Sequence, residues 1–334
     1  MGVLVICAAL FLTGCQTADE PQHAAPTGIK IGVAVYDQYD TFVSILMETF
    51  KQYANEKETE TGVAIAIEVY NASNSQTTQN SQVEGMIREG CDVICVNLVD
   101  RTEPTTIIDM AEKNNVPIIF FNRELVEEDL ERWPQLYYVG ATAFQSGVIQ
   151  GEIAAQAFQD DPTADKNKDG VFQYVMIEGE AGHQDAIVRT EYSVAKIVEE
   201  GVEVEKLGYV IANWNRAQAQ TKMLKLLEEK VSEIELILAN NDDMALGAID
   251  ALKELNIPRS DWPVIVGVDG TDVGLEAVEA GEMAGTAYND KEGQAKGILE
   301  LAYTLAMGED VDRLELEDQK YMRFPYQKVL PEDL

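Results

Sequence analysis

A stretch of nine residues in the middle of the chain carries oxygen-bearing side chains at regular spacing. It reads DKNKDGVFQ and runs from position 165 to position 173. Side-chain oxygens stand at its positions 1, 3, 5 and 9, and glycine stands at position 6, where a calcium-binding loop makes its sharp turn. A backbone carbonyl serves at position 7 in such loops. The spacing predicts a structural calcium site, with ligands from Asp165, Asn167, Asp169, the carbonyl of Val171, and Gln173.

This loop cannot complete its own coordination shell. A calcium loop of the EF-hand type supplies a bidentate glutamate at position 12, and Met176 occupies that position here. A carboxylate from another part of the chain is therefore required.

Polar residues also collect where apolar runs of the sequence end. The ligands of parallel sheets bind beyond the carboxyl ends of the strands. Carboxylates and amides suit vicinal hydroxyl groups, and aromatic rings offer an apolar face to a pyranose. Asp and Asn at such positions also cap helices, so each one alone has a second interpretation. Together they predict a site for a neutral polar ligand, formed by YDQYDTF (36–42), NRE (122–124), EGEAGHQD (178–185), NWN (213–215), NND (240–242), DGTD (269–272) and ND (289–290).

The apolar runs alternate with helical patterns almost throughout. IKIGVAVY, VAIAIEVY, DVICVNLV and VPIIFFN are typical of buried parallel strands, with helix-like segments near 41–58, 76–89 and 104–114. A second series of the same kind begins after residue 140. The pattern predicts an α/β protein with two doubly wound parallel-sheet lobes and a cleft between them.

The beginning of the sequence predicts export and anchoring. Residues 1–14 are almost wholly apolar and too short to span a bilayer, as in a secretory signal. Leu12-Thr13-Gly14-Cys15 resembles a lipobox, so we expect Cys15 to carry lipid and hold the protein to the outside of the cell membrane. Residues 15–28 then form a polar tether.

Two of the four cysteines lie in one apolar run. Cys91 and Cys95 are four residues apart, about 13 Å along a strand, which is too far for a disulfide. We expect both thiols on one face of that strand, buried and inert.

The charge balance narrows the possible partners. The chain has 59 acidic and 25 Lys or Arg residues, a formal net charge of −34. Nucleic acid and anionic membrane surfaces attract basic clusters, so both are disfavoured as partners. A neutral polar ligand is compatible with this charge.

Several long strings resemble the periplasmic galactose/glucose-binding proteins of bacterial ABC transporters, in family order over nearly all of residues 29–330. They are IGVAVY, CVNLVD, VPIIFFNRE, YYVGATAFQSGVIQG, DKNKDG, GEAGHQDAIVRT, WNRAQA, ILANNDDMALGA, VGVDG and GTAYND. The resemblance implies a type I periplasmic binding protein with three chain crossings, near 139–141, 288–290 and 318–323. The implied N-terminal lobe is 29–139 plus 290–318, and the implied C-terminal lobe is 140–289 plus 319–334.

The resemblance also implies which residues bind the ligand. The pyranose would lie between Phe42 and Trp214, with Asp40 facing the 4-hydroxyl group. The complete implied sugar-binding set is Asp40, Phe42, Asn122, His183, Asp185, Arg189, Trp214, Asn241, Asp269 and Asn289. Tyr36 matches a further cleft residue. Glu235 would supply the missing carboxylate of the calcium site.

The implied function is capture of D-galactose or D-glucose and delivery to the permease of an ABC sugar importer, by a monomeric receptor. A chemoreceptor is a possible additional partner. The alternatives are a receptor for another small sugar or signal, an enzyme, and a transcriptional regulator of the same fold. Asp185 and Asp269 could in principle act in glycoside hydrolysis, but no G-x-S-x-G, P-loop or G-x-G-x-x-G motif is present. A regulator would need a basic helix-turn-helix at its start.

Overall fold

The structure, a computed structural model, describes residues 28–334 and contains two six-stranded sheets. The strands of the first sheet are β1 (Gly28–Val35), β2 (Ala64–Asn71), β3 (Val93–Val96), β4 (Ile118–Phe121), β5 (Leu136–Gly140) and β11 (Tyr321–Arg323). They lie in the order β11-β5-β4-β3-β1-β2 and pair in parallel. All residues of β3 and β4 are buried, because helices cover both faces of the sheet.

The helices of this lobe connect the strands in turn. They are α1 (Thr41–Thr61), α2 (Gln76–Arg88), α3 (Thr105–Asn114), α4 (Glu127–Leu130) and, after the second lobe, α10 (Lys291–Ala306) with the 3-10 helix Val311–Leu314. Helices α1 and α10 pack on one face of the sheet, and α2 and α3 pack on the other.

The second lobe repeats this plan. Its strands are β6 (Val171–Glu178), β7 (Glu203–Ile211), β8 (Leu236–Ala239), β9 (Val264–Asp269), β10 (Gly285–Tyr288) and β12 (Gln327–Val329), in the order β12-β10-β9-β8-β6-β7. Only β12 is antiparallel in this sheet. Its helices are α5 (Ala143–Asp160), α6 (Gln184–Glu199), α7 (Arg216–Lys230), α8 (Asp242–Glu254) and α9 (Asp272–Glu279), with 3-10 turns at Arg259–Asp261 and Pro331–Asp333. The predicted fold class, two doubly wound parallel-sheet lobes, is confirmed.

The chain passes between the lobes three times. The first two crossings lie between β5 and α5 and between β10 and α10, close to the expected positions. The third differs from the expected 318–323, because β11 still pairs with β5 in the first sheet and only β12 joins the second. This crossing therefore lies at 324–326. The C-terminal piece of the second lobe is therefore shorter than the expected 319–334, because β11 belongs to the first sheet and only β12 belongs to the second.

The two described cysteines do not share a face, contrary to expectation. Cys91 precedes β3 and packs near Met86 of α2, whereas Cys95 lies within β3 and faces the α1 and α10 side. Both are free and buried, and burial raises the pKa of the Cys91 thiol to about 11 and that of Cys95 further. Such thiols are poor nucleophiles.

The expected signal segment, lipidated Cys15 and the tether up to residue 27 lie outside the described residues, whereas Gly28, expected as the last tether residue, begins β1. Within residues 28–334 no helix is both long enough and apolar enough to cross a membrane.

Candidate ligand-binding site

The carboxyl ends of the strands of both sheets meet at a pocket between the lobes, here called the inner pocket. It holds about 360 Å³ of empty space, part of it open to solvent. Nine of the ten residues expected to bind sugar line it: Asp40, Phe42, Asn122, His183, Asp185, Arg189, Trp214, Asn241 and Asp269. Tyr36 and Arg123 complete the lining.

Asp40 both caps a helix and faces the inner pocket. One carboxylate oxygen accepts the N–H of Val43 at 2.8 Å and so caps α1. The other accepts the hydroxyl of Tyr36 at 2.5 Å. A strand-end residue can therefore both cap a helix and bind a ligand, because the capping bond holds its side chain in a fixed orientation.

Asn122 follows β4 in a left-handed conformation, with φ of 63°. Its side-chain oxygen accepts an N–H from the buried Asn97 at 3.1 Å. The amide orientation is thereby set, and its own N–H group is left for a ligand.

Arg189 of α6 is one of two buried arginines that line the inner pocket, with 4% of its surface exposed. Its guanidinium donates to the carbonyl of Asn240 at 2.7 Å and to the hydroxyl of Tyr326 at 3.0 Å. It also lies 3.4 Å from a carboxylate oxygen of Asp185 and 3.7 Å from one of Asp269. The buried Nε–H has no protein partner among residues 28–334. One strong donor of this pocket residue is thus left without a protein partner.

Asp185 and Asp269 are acceptors whose charge depends on this cation. Burial raises the pKa of both carboxyl groups, and the nearby Arg189 opposes that rise. For Asp269 the neighbouring carboxylates raise the pKa further. The guanidinium therefore favours the ionised, hydrogen-bond-accepting form of both groups.

His183 has one defined protonation state. Its Nδ1 accepts the N–H of Asp185 at 3.1 Å, and burial together with the nearby arginines lowers its pKa well below the usual value. The neutral ring therefore carries its hydrogen on Nε2 as a donor. It contacts Trp214 edge to face, with ring centroids 5.2 Å apart.

The amide residues of the second lobe differ in role. Asn241 caps α8 through the N–H of Met244 at 3.0 Å and lines the pocket. Asn289, the tenth expected residue, does not line the pocket. Its side-chain oxygen accepts from Gln294 at 2.6 Å, and its backbone N–H donates to the carbonyl of Asp269 at 2.9 Å. Asn289 therefore bonds to the backbone of Asp269 from outside the inner pocket.

Arg123 lies in the strand-end segment NRE that was predicted to form part of the site, but it is missing from the sugar-binding set that the resemblance implies. Its guanidinium stacks 3.7 Å from the ring centre of Tyr36 and donates to Glu180 of the other lobe at 2.9 Å. It directly follows Asn122 at the end of β4, so its position beyond a strand was the available signal. A second bond between the lobes joins the hydroxyl of Thr41 to Asp243 at 2.5 Å.

A fully buried carboxyl group holds the loop that carries Asp269. Asp242 accepts the N–H of Thr271 at 2.8 Å and the hydroxyl of Thr286 at 2.7 Å. A methyl group on Gly267 would lie 2.3 Å from its carboxylate, so only glycine leaves it room. Burial raises the pKa of Asp242 to about 7, although these hydrogen bonds oppose the rise.

The expected calcium ligands lie together at the other end of the second lobe. Asp169 accepts N–H bonds from the amides of Asn167 and Gln173 at 2.9 and 3.0 Å. Glu235, 1% exposed, accepts the N–H of Lys166 at 2.6 Å and that of Gln173 at 3.3 Å. Among residues 28–334 no three acidic, His or Cys side chains are close enough to hold a metal in this arrangement.

The donor chemistry of this loop nevertheless fits a hard cation. Asp165, Asp169 and Glu235 form no ion pair with a Lys or Arg of the described residues. Burial raises the pKa of Glu235, and the negative charge of Asp165 adds to that rise. Oxygen ligands with excess negative charge are what Ca²⁺ requires.

Two lobes joined by three crossings, with a polar pocket at the strand ends of both, define a receptor that binds a small solute between its lobes. The model of the periplasmic binding protein domain matches residues 31–310 of this chain. The chain therefore belongs to the periplasmic binding protein family, whose members act outside the cytoplasm. It is a binding protein and not an enzyme, as predicted.

Individual relatives cover nearly the whole chain. The D-galactose/methyl-galactoside binding periplasmic protein of Haemophilus influenzae is 35% identical over 311 residues, 91% of this chain and 90% of its own length. A putative rhizopine-binding protein of Rhizobium meliloti is 33% identical over 87% of each chain. Among solved structures, a Bacillus halodurans ABC transporter solute-binding protein with bound myo-inositol is 29% identical, with a TM-score of 0.76 over 93% of this chain and 96% of its own.

Proposed function

We propose that this protein is the extracytoplasmic receptor for D-galactose and D-glucose of an ABC sugar importer. The observation that carries the proposal is the inner pocket. There the guanidinium of Arg189 favours the ionised form of Asp185 and Asp269 and orients both carboxylates. Carboxylates and a neutral His183 donor suit the hydroxyl groups of a neutral sugar, and Phe42 and Trp214 suit its apolar faces. The galactose-binding relative and the sugar or polyol ligands of other relatives support the same ligand class.

Calorimetric titration with monosaccharides tests this assignment. Both hexoses should bind, within about tenfold of each other, or about 1.4 kcal/mol. Asp40 is the reason, because each of its two carboxylate oxygens accepts one bond, from Val43 or Tyr36, and keeps about one further lone-pair site for either direction of the 4-hydroxyl group. Ribose should bind at least tenfold more weakly, since each buried polar group left unpaired costs about 1–3 kcal/mol. Asp40→Ala should weaken both hexoses together.

Two outcomes would contradict the assignment. If one hexose binds and the other is undetectable at millimolar concentration, Asp40 does not have this role. If myo-inositol binds more tightly than either hexose, the hexose assignment itself is wrong.

We further propose that the 165–173 loop binds one Ca²⁺ as a structural ion. The proposed ligands are Asp165, Asn167, Asp169, the carbonyl of Val171, Gln173 and Glu235. Rotation of the Asn167 and Gln173 amides would turn oxygens instead of N–H groups toward the ion. All six lie in the second lobe, outside the inner pocket, so the ion would stabilise that lobe without touching the sugar.

Removal of calcium should lower the melting temperature of the protein. Binding to the folded state alone stabilises it by about 2.7 kcal/mol at a hundredfold excess over Kd. Thermal melts with EDTA and with added calcium measure this difference, and Glu235→Gln should abolish it. Glu233→Gln, which changes an exposed glutamate two residues away, is the matched control and should keep it. Identical wild-type melts with and without calcium would rule out the site.

We also propose that Cys15 carries lipid and holds the receptor at the membrane, because Leu12-Thr13-Gly14-Cys15 follows an apolar run. Mass spectrometry of membrane-derived protein should find a lipidated Cys15 at the mature N-terminus. Cys15→Ser should appear in the soluble fraction, whereas Cys7→Ser should stay with the membrane. An unmodified Cys15 in the membrane-derived protein would exclude the anchor.

A further inference from the structure

A second space opens beside the inner pocket and is here called the outer groove. It lies between the 37–40 and 73–74 segments of the first lobe and the 213–218 segment of the second. It holds about 870 Å³ of empty space, part of it open to solvent. Tyr36, Asp40 and Trp214 line both spaces, so the outer groove adjoins the inner pocket at these three side chains.

An unusually exposed aromatic side chain stands at the outer groove. Tyr39 is 81% exposed, although its neighbours Tyr36 and Phe42 are each 6% exposed. Its ring fills no part of the core, so packing of the folded chain does not explain it. An exposed aromatic face beside a sugar pocket is the kind of surface on which another sugar ring can pack.

Three amide side chains of the outer groove, those of Asn74, Asn213 and Gln218, each keep one hydrogen-bonding group without a protein partner among the described residues. Asn74 donates to Asp37 at 3.0 Å, which leaves its side-chain oxygen without a partner among residues 28–334. Asn213 donates to Gln218 at 2.9 Å, which likewise leaves the oxygen of Asn213 and the N–H group of Gln218 free. The internal bonds fix the orientation of these amides, so their free donors and acceptors are held ready for a hydroxylated ligand.

The backbone presents these side chains from equivalent loops of the two lobes. The loop after β2 has two successive left-handed residues, Ser73 (φ 50°) and Asn74 (φ 60°). The loop after β7 has Asn213 (φ 49°) and Trp214 (φ 61°) at the matching place. Such conformations are uncommon outside glycine and persist where the surrounding structure fixes them. Two opposed, fixed loops define the width of the outer groove.

Charge restricts what can bind there. Asp37, Asp40, Glu180 and Asp243 line the outer groove, and no Lys or Arg among the described residues does. A phosphorylated or acidic sugar would be repelled. We propose that the outer groove is a second glycosyl subsite, so that the receptor also takes a neutral disaccharide with one ring in the inner pocket. This inference rests on the proposed hexose function and adds a ligand class to it.

Titration with lactose, maltose and melibiose beside the two hexoses tests the proposal. These disaccharides extend an inner glucose or galactose from different positions. At least one of them should bind one to one, within about tenfold of the better hexose, and saturating hexose should compete with it. If the hexoses bind but all three disaccharides are more than tenfold weaker, the subsite does not exist. If no hexose binds, the proposed function fails, and this inference fails with it.

Variants of the outer groove separate the two spaces. Tyr39→Ala and Gln218→Ala should each weaken the bound disaccharide about five- to tenfold and change hexose affinity less than twofold. Both residues are exposed, so the fold should tolerate the changes. Tyr209→Ala, at a tyrosine that is 44% exposed on β7 and lines neither space, is the matched control. Equal weakening of hexose and disaccharide by Tyr39→Ala would overturn the proposal.

Discussion

Arg189→Met should abolish measurable hexose binding at millimolar sugar and lower the free energy of unfolding by about 3–5 kcal/mol. Both effects have one physical origin. The guanidinium is the nearest cation to Asp185 and Asp269, and it bonds to Asn240 and Tyr326. Without it, two buried carboxyl groups would lose their charge partner, and their pKa values would rise further. Protonated carboxyl groups would then have lost much of their capacity to accept from sugar hydroxyls.

A surface arginine of the same lobe provides the control. Arg216 forms a two-point pair with Asp250 at 2.6 and 2.8 Å, but its side chain is 43% exposed. Exposed pairs contribute about 1 kcal/mol or less, so Arg216→Met should change stability little and leave affinity unchanged. Calorimetry and denaturant unfolding of the two variants measure both quantities. Hexose affinity within tenfold of the wild type in Arg189→Met would show that Arg189 does not organise the site.

The second large expected effect is a loss of hexose affinity when the aromatic ring of Trp214 is removed. Trp214→Ala should weaken hexose binding by about 2–3 kcal/mol, roughly 30- to 150-fold, because central aromatic anchors contribute most to binding energy. Trp214 is only partly buried, so the loss of stability should be smaller than the loss of affinity. Trp214→Phe should retain most of the affinity, since an aromatic face remains.

Trp262 is the matched tryptophan for this test. It is half-buried in the same lobe, stacks on Arg259 at 4.6 Å and lies outside both the inner pocket and the outer groove. Trp262→Ala should reduce stability and leave hexose affinity unchanged. If Trp214→Ala binds hexose as well as Trp262→Ala does, the stacking role of Trp214 is excluded.

Most of the fold could be predicted because buried parallel strands leave a strong pattern. Runs such as IIFF are apolar at every position, since helices cover both faces, and they alternate with helical periodicity. The site followed from the same rule, because polar residues at the ends of such runs must meet at one edge. The resemblance then identified nine residues that the structure brings to one pocket.

The remainder depended on three-dimensional detail that spacing does not contain. Arg123 stands in the predicted strand-end segment NRE, but only the lobe opposite it reveals the bond to Glu180. Asn289 looks like a pocket amide, but the side chain of Gln294 on α10 holds it behind Asp269. Cys91 and Cys95 face different sides because β3 begins after Cys91. The position of the third crossing depended on β11 and β12, two strands of three residues each that join different sheets.

The two bonds between the lobes, Thr41 to Asp243 and Arg123 to Glu180, contain no ligand atom, so they can form whether or not a sugar is bound. They therefore favour the closed state of the receptor even without sugar. A bond of this kind contributes about 0.5–1.5 kcal/mol, so each multiplies the closed-to-open ratio roughly two- to tenfold. A larger closed fraction raises apparent sugar affinity by lowering the cost of closure. It also raises the number of closed receptors that contain no sugar and can still dock on the importer. Stronger bonds between the lobes would therefore improve uptake at low sugar concentration but increase the share of docking events that deliver no sugar.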